Sequence, residues 1–119
     1  QALAPLREEG VLLIGSGHMT HNLRVVMGAM RHGRAVEPDY PGKVKAFTDW
    51  FADRFAEGDR DAILNWTEEA PFVAENHPTD EHLMPLFFAY GAAGDKPKPE
   101  RACDYMQYGM FAWDSWVFR

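Results

Sequence analysis

At 119 residues with 46% apolar side chains, the chain has the size and composition of one domain able to bury a core. A formal charge of −6 and the lack of any Lys/Arg cluster argue against a nucleic-acid or anionic-membrane surface. No stretch approaches the roughly 18 uninterrupted apolar residues of a membrane span, and the first residues lack the basic start and apolar run of a signal peptide. Cys103, the single cysteine, excludes an intrachain disulfide and a cysteine-only metal site, and it fits a reducing, cytoplasmic setting.

In chain order, Ala2, Leu3 and Leu6 fall at helical spacing before Gly10, which reads as the last turns of a helix with a glycine stop. A chain that opens at the end of a helix is expected to be the C-terminal portion of something longer, with residues 1–119 forming one partial domain. Val11-Leu12-Leu13-Ile14 is a continuous apolar run that suits a central strand of an α/β sheet, buried on both faces. Gly15-Ser16-Gly17 ends that run and His18-Met19-Thr20-His21-Asn22 follows, beyond the carboxyl end of a strand, where open α/β sheets bind ligands. The glycines lack the third glycine of a dinucleotide loop and the lysine of a P-loop, so phosphate cradling has little support. His18 and His21 share a face only if the segment is helical; each is either functional or an ordinary packed histidine.

Residues 27–42 carry Gly28, Gly33, Pro38 and Pro41 and read as a long irregular segment, either a lid or binding loop or a plain surface excursion. Val44, Phe47, Trp50/Phe51 and Phe55 then predict an amphipathic helix ending near Gly58, its aromatics in the core. Asp59 is placed to cap a second, short helix holding Ile63, Leu64 and Trp66.

Asn76-His77-Pro78-Thr79-Asp80-Glu81-His82 comes next and runs into the apolar stretch from Leu83 to Tyr90. Pro78 biases His77 toward extended geometry, and Thr79 or Asp80 is expected to cap a helix over the apolar stretch. His77 would then stand exposed to a cavity, just outside a helix N-terminus and beside its positive dipole end. That setting suits a neutral imidazole acting as metal ligand or acid/base group; the alternative is a capping turn whose histidine only packs or binds water. Gly91-Ala92-Ala93-Gly94 makes a turn, residues 96–99 an extended connection, and the aromatic tail from Tyr105 to Phe118 favours strand. The chain contains no internal repeat and no low-complexity stretch.

Gly15-Ser16-Gly17 with Thr20-His21-Asn22-Leu23, His77-Pro78-Thr79 with Glu81-His82 and Pro85-Leu86, and Gly91-Ala92-Ala93-Gly94 occur in an informative order and spacing. Together they resemble the DODA-type extradiol aromatic ring-opening dioxygenases of the class III, LigB-like superfamily. Leu3-Ala4-Pro5-Leu6-Arg7, the Phe47/Trp50 helix and Ala70-Pro71 extend the resemblance over nearly the whole chain, yet only to the C-terminal part of the family's domain. The resemblance implies an α/β fold with a central sheet flanked by helices. It further implies a mononuclear non-haem Fe(II) site, with Zn(II) in some members and one metal per complete site. The substrates it implies are a catechol-type small aromatic diol and dioxygen, the ring being cleaved beside the diol.

On the same resemblance, His77 is a metal ligand. His21 is the catalytic acid/base residue, close enough to the metal to count as a further ligand in a zinc form. His82 matches the family motif and, with His18, is a candidate to support a ligand or line the substrate pocket. Two histidines cannot fill a metal's coordination shell, so the remaining ligands are expected from an N-terminal segment or a separate chain of the same domain. Met106, Tyr108, Met110 and Trp113 stand where smaller residues would be usual for the family, which leaves the pocket shape and the substrate open. Two other functions fit the same residues: a non-catalytic binding or assembly subunit of a related dioxygenase, and a zinc-dependent hydrolase built on a similar cleft. A partial sheet would expose strand edges and apolar faces, so the isolated chain is expected to be unstable.

Overall fold

The computed structural model describes residues 2–33 and 36–119, without the side chain of His32. A 3-10 turn, Ala4–Arg7, leads into an extended stretch, and helices follow at α1 (Leu23–His32), α2 (Tyr40–Glu57), α3 (Arg60–Leu64), α4 (Trp66–Glu69), α5 (Val73–Asn76) and α6 (Met84–Ala92). Four short strands close the chain: β1 (Pro99–Cys103), β2 (Met106–Gln107), β3 (Phe111–Ala112) and β4 (Ser115–Phe118). β1 pairs antiparallel with β4, and β2 antiparallel with β3. The mixed α/β character read from the sequence holds, in the form of helices packed on small sheets.

The core is built on one face of α2. Val44, Phe47 and Phe51 are fully buried there and Phe55 nearly so, which is the spacing that brings side chains onto one stripe of a helix. Trp66 of α4 meets both Phe47 and Phe51, at 6.1 and 6.3 Å between ring centres, and Phe87 of α6 lies 6.2 Å from Phe51. Lower on the same stripe Phe55 meets Tyr90, Trp116 and Phe118 at 4.8–5.2 Å. Each such side chain contributes about 1.5–3 kcal/mol on burial, so the stripe is what gathers α4, α6 and β4 around α2. Gly58, at φ +69°, stops α2, and the Asp59 carboxylate accepts from the Ala62 N–H to start α3, as the sequence predicts, although α3 ends at Leu64 and Trp66 opens the separate α4.

Three expectations need correction. The first is the strand at residues 11–14. Val11 donates to the Leu6 carbonyl, but among the described residues no backbone bond to a neighbouring strand forms along this run. Leu12 and Ile14 are 80% and 73% exposed. A strand exists only through its pairing partners, and the four strands present pair with each other instead. The run keeps the composition of a buried strand, yet only Leu13 is partly buried, on the side of Ala89 and Phe118, while Val11, Leu12 and Ile14 stay exposed.

The second is the irregular segment at residues 27–42, much of which is helix. The Asn22 side chain accepts from the Val25 N–H to open α1, Gly28 sits inside it with open space around it, and Gly33 ends it at φ +55°. Pro41 falls in the first turn of α2, where a missing N–H goes unnoticed. Arg34 and Ala35 lie outside the described residues.

The third is the start of the helix after Pro78. Residues 80–83 form a turn in which the Asp80 carbonyl accepts from Leu83 and Met84, and α6 begins at Met84. Pro85 dictates this: had the helix begun near Asp80, its ring would fall in the interior and clash with the preceding turn. At the start of α6 it is harmless.

The glycines of Gly15-Ser16-Gly17 are required by this packing. A Cβ on Gly15 would lie 2.1 Å from the Pro85 carbonyl oxygen, and one on Gly17 would lie 2.4 Å from that of His82. Their absent side chains let the extended stretch run directly against the start of α6. Arg101 reaches from β1 to the buried Asp114 carboxylate, which ties the first sheet strand to the turn before β4.

Candidate histidine site

Two segments more than fifty residues apart in sequence are fastened side by side. His18 donates its backbone N–H to the His82 carbonyl at 2.8 Å, and His21 donates its own to the Asn76 carbonyl at 2.8 Å. The Asn22 amide donates to the Glu75 carbonyl at 2.8 Å, and the Tyr40 hydroxyl donates to that same oxygen at 2.7 Å. Asn76 is completely buried and donates to the Phe72 carbonyl at 2.9 Å, which stabilises the turn of α5 that delivers His77. These bonds set His18, His21, His77 and His82 in one neighbourhood.

His77 is the C-cap of α5, its N–H bonded to the Val73 carbonyl at 2.7 Å, so it lies at a helix carboxyl end and not at an N-terminus. Nor does it face an open cavity: it is only 3% exposed, wedged against Phe47 and Trp66 at 5.6 and 5.9 Å. Its Nε2 lies 2.8 Å from the Met19 carbonyl oxygen. A carbonyl can only accept, so Nε2 carries the proton and Nδ1 carries a lone pair. That Nδ1 is buried with no hydrogen-bond partner, as is Nδ1 of His18. A buried imidazole nitrogen with nothing to accept from is costly as a structural device and natural as a metal ligand.

His18 and His21 are not on a helix, yet their rings come within 5.7 Å, and His21 stacks on His82 at 3.5 Å. Burial holds the His77, His18 and His21 imidazoles below the ordinary value, and a charge on His82 would lower each of them further. For His77 the Nε2 bond to the Met19 carbonyl and the nearby Thr79 backbone oppose burial without overcoming it, and charges on His21 and His82 would add to the lowering. His18, His21 and His77 are therefore held toward the neutral form, which is the state that both a metal and a general base require. Among the described residues no three His, Cys, Asp or Glu side chains converge as a complete ligand set. What is present fits part of one.

This electrostatic arrangement gives a pH prediction. With the folded pKa of His77 below the ordinary 6.5, the unfolded chain takes up a proton first on acidification, so stability is present above that value and lost as pH falls through it. In the protein that contains this chain, the melting temperature should be level above about pH 7.5 and fall between about pH 6.5 and 5, with a smaller fall in His77→Gln. A melting temperature that rises over this window would show that the histidines are not held neutral.

Residues overlooked in the sequence complete the site. The Thr20 hydroxyl, fully buried, accepts the Ala112 N–H at 2.9 Å and donates to the Met110 carbonyl at 3.4 Å, locking the β2–β3 hairpin to the histidine segment. Thr20→Val should leave the Ala112 N–H buried and unpaired and lower stability by about 1–3 kcal/mol in denaturant titration; an unchanged midpoint would mean that water replaces the hydroxyl. The indole of Trp113 lies 4.5 Å from the His18 ring. A cavity of about 350 Å³, within the range of small-molecule pockets, opens between the 14–19 stretch, α6 and β4, with His18 and His82 in its wall. Only the unbroken run Thr20-His21-Asn22 hinted at the role of Thr20, and nothing in the sequence pointed from His18 to Trp113.

The family described as the catalytic LigB subunit of aromatic ring-opening dioxygenase matches residues 1–118. The chain is similar to proteins named 4,5-DOPA dioxygenase extradiol. That of Beta vulgaris is 35% identical over 118 residues, which covers 99% of this chain and 41% of the relative. That of Portulaca grandiflora is 33% identical over 122 residues, covering 99% and 41%. That of Escherichia coli (strain K12) is 33% identical over 96 residues, covering 76% and 32%. The chain thus spans about two fifths of the length of the plant relatives it matches.

Proposed function

Since this chain belongs to the LigB family of aromatic ring-opening dioxygenases, we propose that it supplies the C-terminal part of an extradiol dioxygenase that opens a small aromatic diol with dioxygen. The observation that carries this reading is the buried, unpartnered Nδ1 of His77 beside neutral His21. His77 would hold one Fe(II) or Zn(II) through Nδ1, its orientation fixed by Nε2 donating to the Met19 carbonyl. A bound metal of this kind supplies Lewis acidity toward the diol oxygens and, as iron, the electron transfer that dioxygen chemistry needs. His21 takes the proton of a diol hydroxyl, and in a zinc form lies close enough to add a further nitrogen. The His82 ring stacked on it holds the imidazole in place, and His18 lines the cavity through which the diol approaches.

The remaining ligands come from an N-terminal segment or chain of the same domain, which also covers the run at residues 11–14. Its exposed Leu12 and Ile14 support this: they have strand composition and lack a strand partner among the described residues. No helix among the described residues is long and apolar enough to cross a membrane, and with the free Cys103 exposed the reading places the protein in the cytoplasm. Intact mass and metal analysis of the native material, followed by oxygen uptake with catechol, tests the proposal. A complementary N-terminal portion, one iron or zinc per complete site and a yellow ring-opened product are expected. A complete protein that binds no metal and leaves catechol unchanged would instead assign the chain to a non-catalytic subunit.

A further inference from the structure

We propose that Trp113 is a specificity-determining residue: its indole forms the aromatic wall against which the ring of the diol stacks. This rests on the dioxygenase reading above. The tail after β1 is held firmly against the rest of the molecule. Tyr108 and Gly109 turn the hairpin at φ +54° and +67°, and a Cβ on Gly109 would come 2.8 Å from the Pro41 ring, so the turn is seated on the first residues of α2. Thr20 bonds the β3 side of the hairpin to the histidine segment. Immediately after β3, Trp113 donates its backbone N–H to the Tyr105 carbonyl at 2.8 Å and its indole N–H to the Gln107 side chain at 2.9 Å. Both donors of the residue are thereby satisfied, and the ring is fixed at the site's edge.

What remains is a flat apolar surface in an unusual place. Trp113 is 43% exposed, with its ring 4.5 Å from His18 and 6.3 Å from Phe111, which continues the wall. His18 in turn lies 5.7 Å from His21. A large side chain held by its indole hydrogen bond on an anchored backbone, and left half open beside a histidine cluster, does little for the core. It offers a π-face to a planar ring whose hydroxyls point toward the imidazoles, an arrangement that favours offset or tilted aromatic pairs. Its bulk also restricts substituents on the part of the ring remote from the diol.

The experiment uses the complete iron-loaded protein, titrated with catechol and with 4-tert-butylcatechol under argon by calorimetry, then assayed for oxygen uptake. Trp113→Ala is expected to raise the dissociation constant and KM for catechol about three- to tenfold, with kcat within twofold, and to improve the relative use of the bulky diol. Trp113→Phe should stay within about twofold of the original on both measures, and matching melting temperatures exclude a collapsed hairpin. If Trp113→Ala binds and turns over both diols as the unaltered protein does, the proposal is overturned and the dioxygenase reading stands. If catechol binds in a Trp113-dependent way without oxygen uptake, the dioxygenase reading fails and the aromatic wall survives. Absence of any catechol binding overturns both.

Discussion

Replacing His21 by alanine in the complete, metal-loaded protein is expected to lower kcat for an aromatic diol by about 10²–10⁴-fold, the usual loss on removing a general base. The fold should survive. His21 is fastened to the 75–77 segment through its backbone N–H and the Asn76 carbonyl, a bond that alanine keeps. Its ring is only partly buried and makes its closest contact with His82, itself partly exposed. The pH profile separates a base from a merely packed ring. Burial first, then His82 and His18, hold the His21 imidazole below its ordinary value, while Glu81 pulls the other way. It is therefore an unprotonated base at neutral pH, and activity should decline on acidification as it takes up its proton. In His21→Ala the residual rate should lose that acidic limb. A variant with normal turnover, or a slow one that keeps the limb unchanged, would remove His21 from the proton transfer.

The sequence was legible wherever a local rule decided the outcome. The 3.6-residue repeat from Val44 to Phe55 found α2, and Gly58-Asp59 marked both its end and the next cap, because helix period and cap chemistry act within a few residues. The two histidine segments were legible as motifs, and their meeting in space is an observation of the fold. Readings failed where the answer lay in a distant neighbour. Val11-Leu12-Leu13-Ile14 has the composition of a strand, and composition cannot report that no partner strand is present among the described residues. Gly28 looked like a breaker, although a single interior glycine weakens a helix without ending it when Asn22 caps the start and Gly33 the end. His77 looked exposed because it precedes a proline in a polar run; its burial comes from Phe47 and Trp66, one thirty residues earlier and both from helices already placed. Such burial changes its chemistry, since it is the main cause that holds the imidazole pKa below its ordinary value.

His77→Ala is the second large effect, and two variants are needed to interpret it. Removing a ring buried among Phe47 and Trp66 should cost about 3–5 kcal/mol, as large-to-small core changes do, and it leaves the Met19 carbonyl without its donor. A loss of stability alone would therefore say nothing about a metal. His77→Gln can return a donor to Met19 and fill much of the volume, so it should recover a good part of that stability. It has no imidazole lone pair at the Nδ1 position. If that nitrogen is a ligand, glutamine should restore the fold while iron or zinc retention stays more than about tenfold below that of the unaltered protein, and oxygen uptake stays lost with it. If glutamine restores metal and turnover together with stability, His77 is a core histidine whose only task is to hold Met19, and the ligands must be sought on other side chains. The first outcome is favoured by the lone pair on Nδ1, which no protein donor occupies while Nε2 is engaged by the Met19 carbonyl.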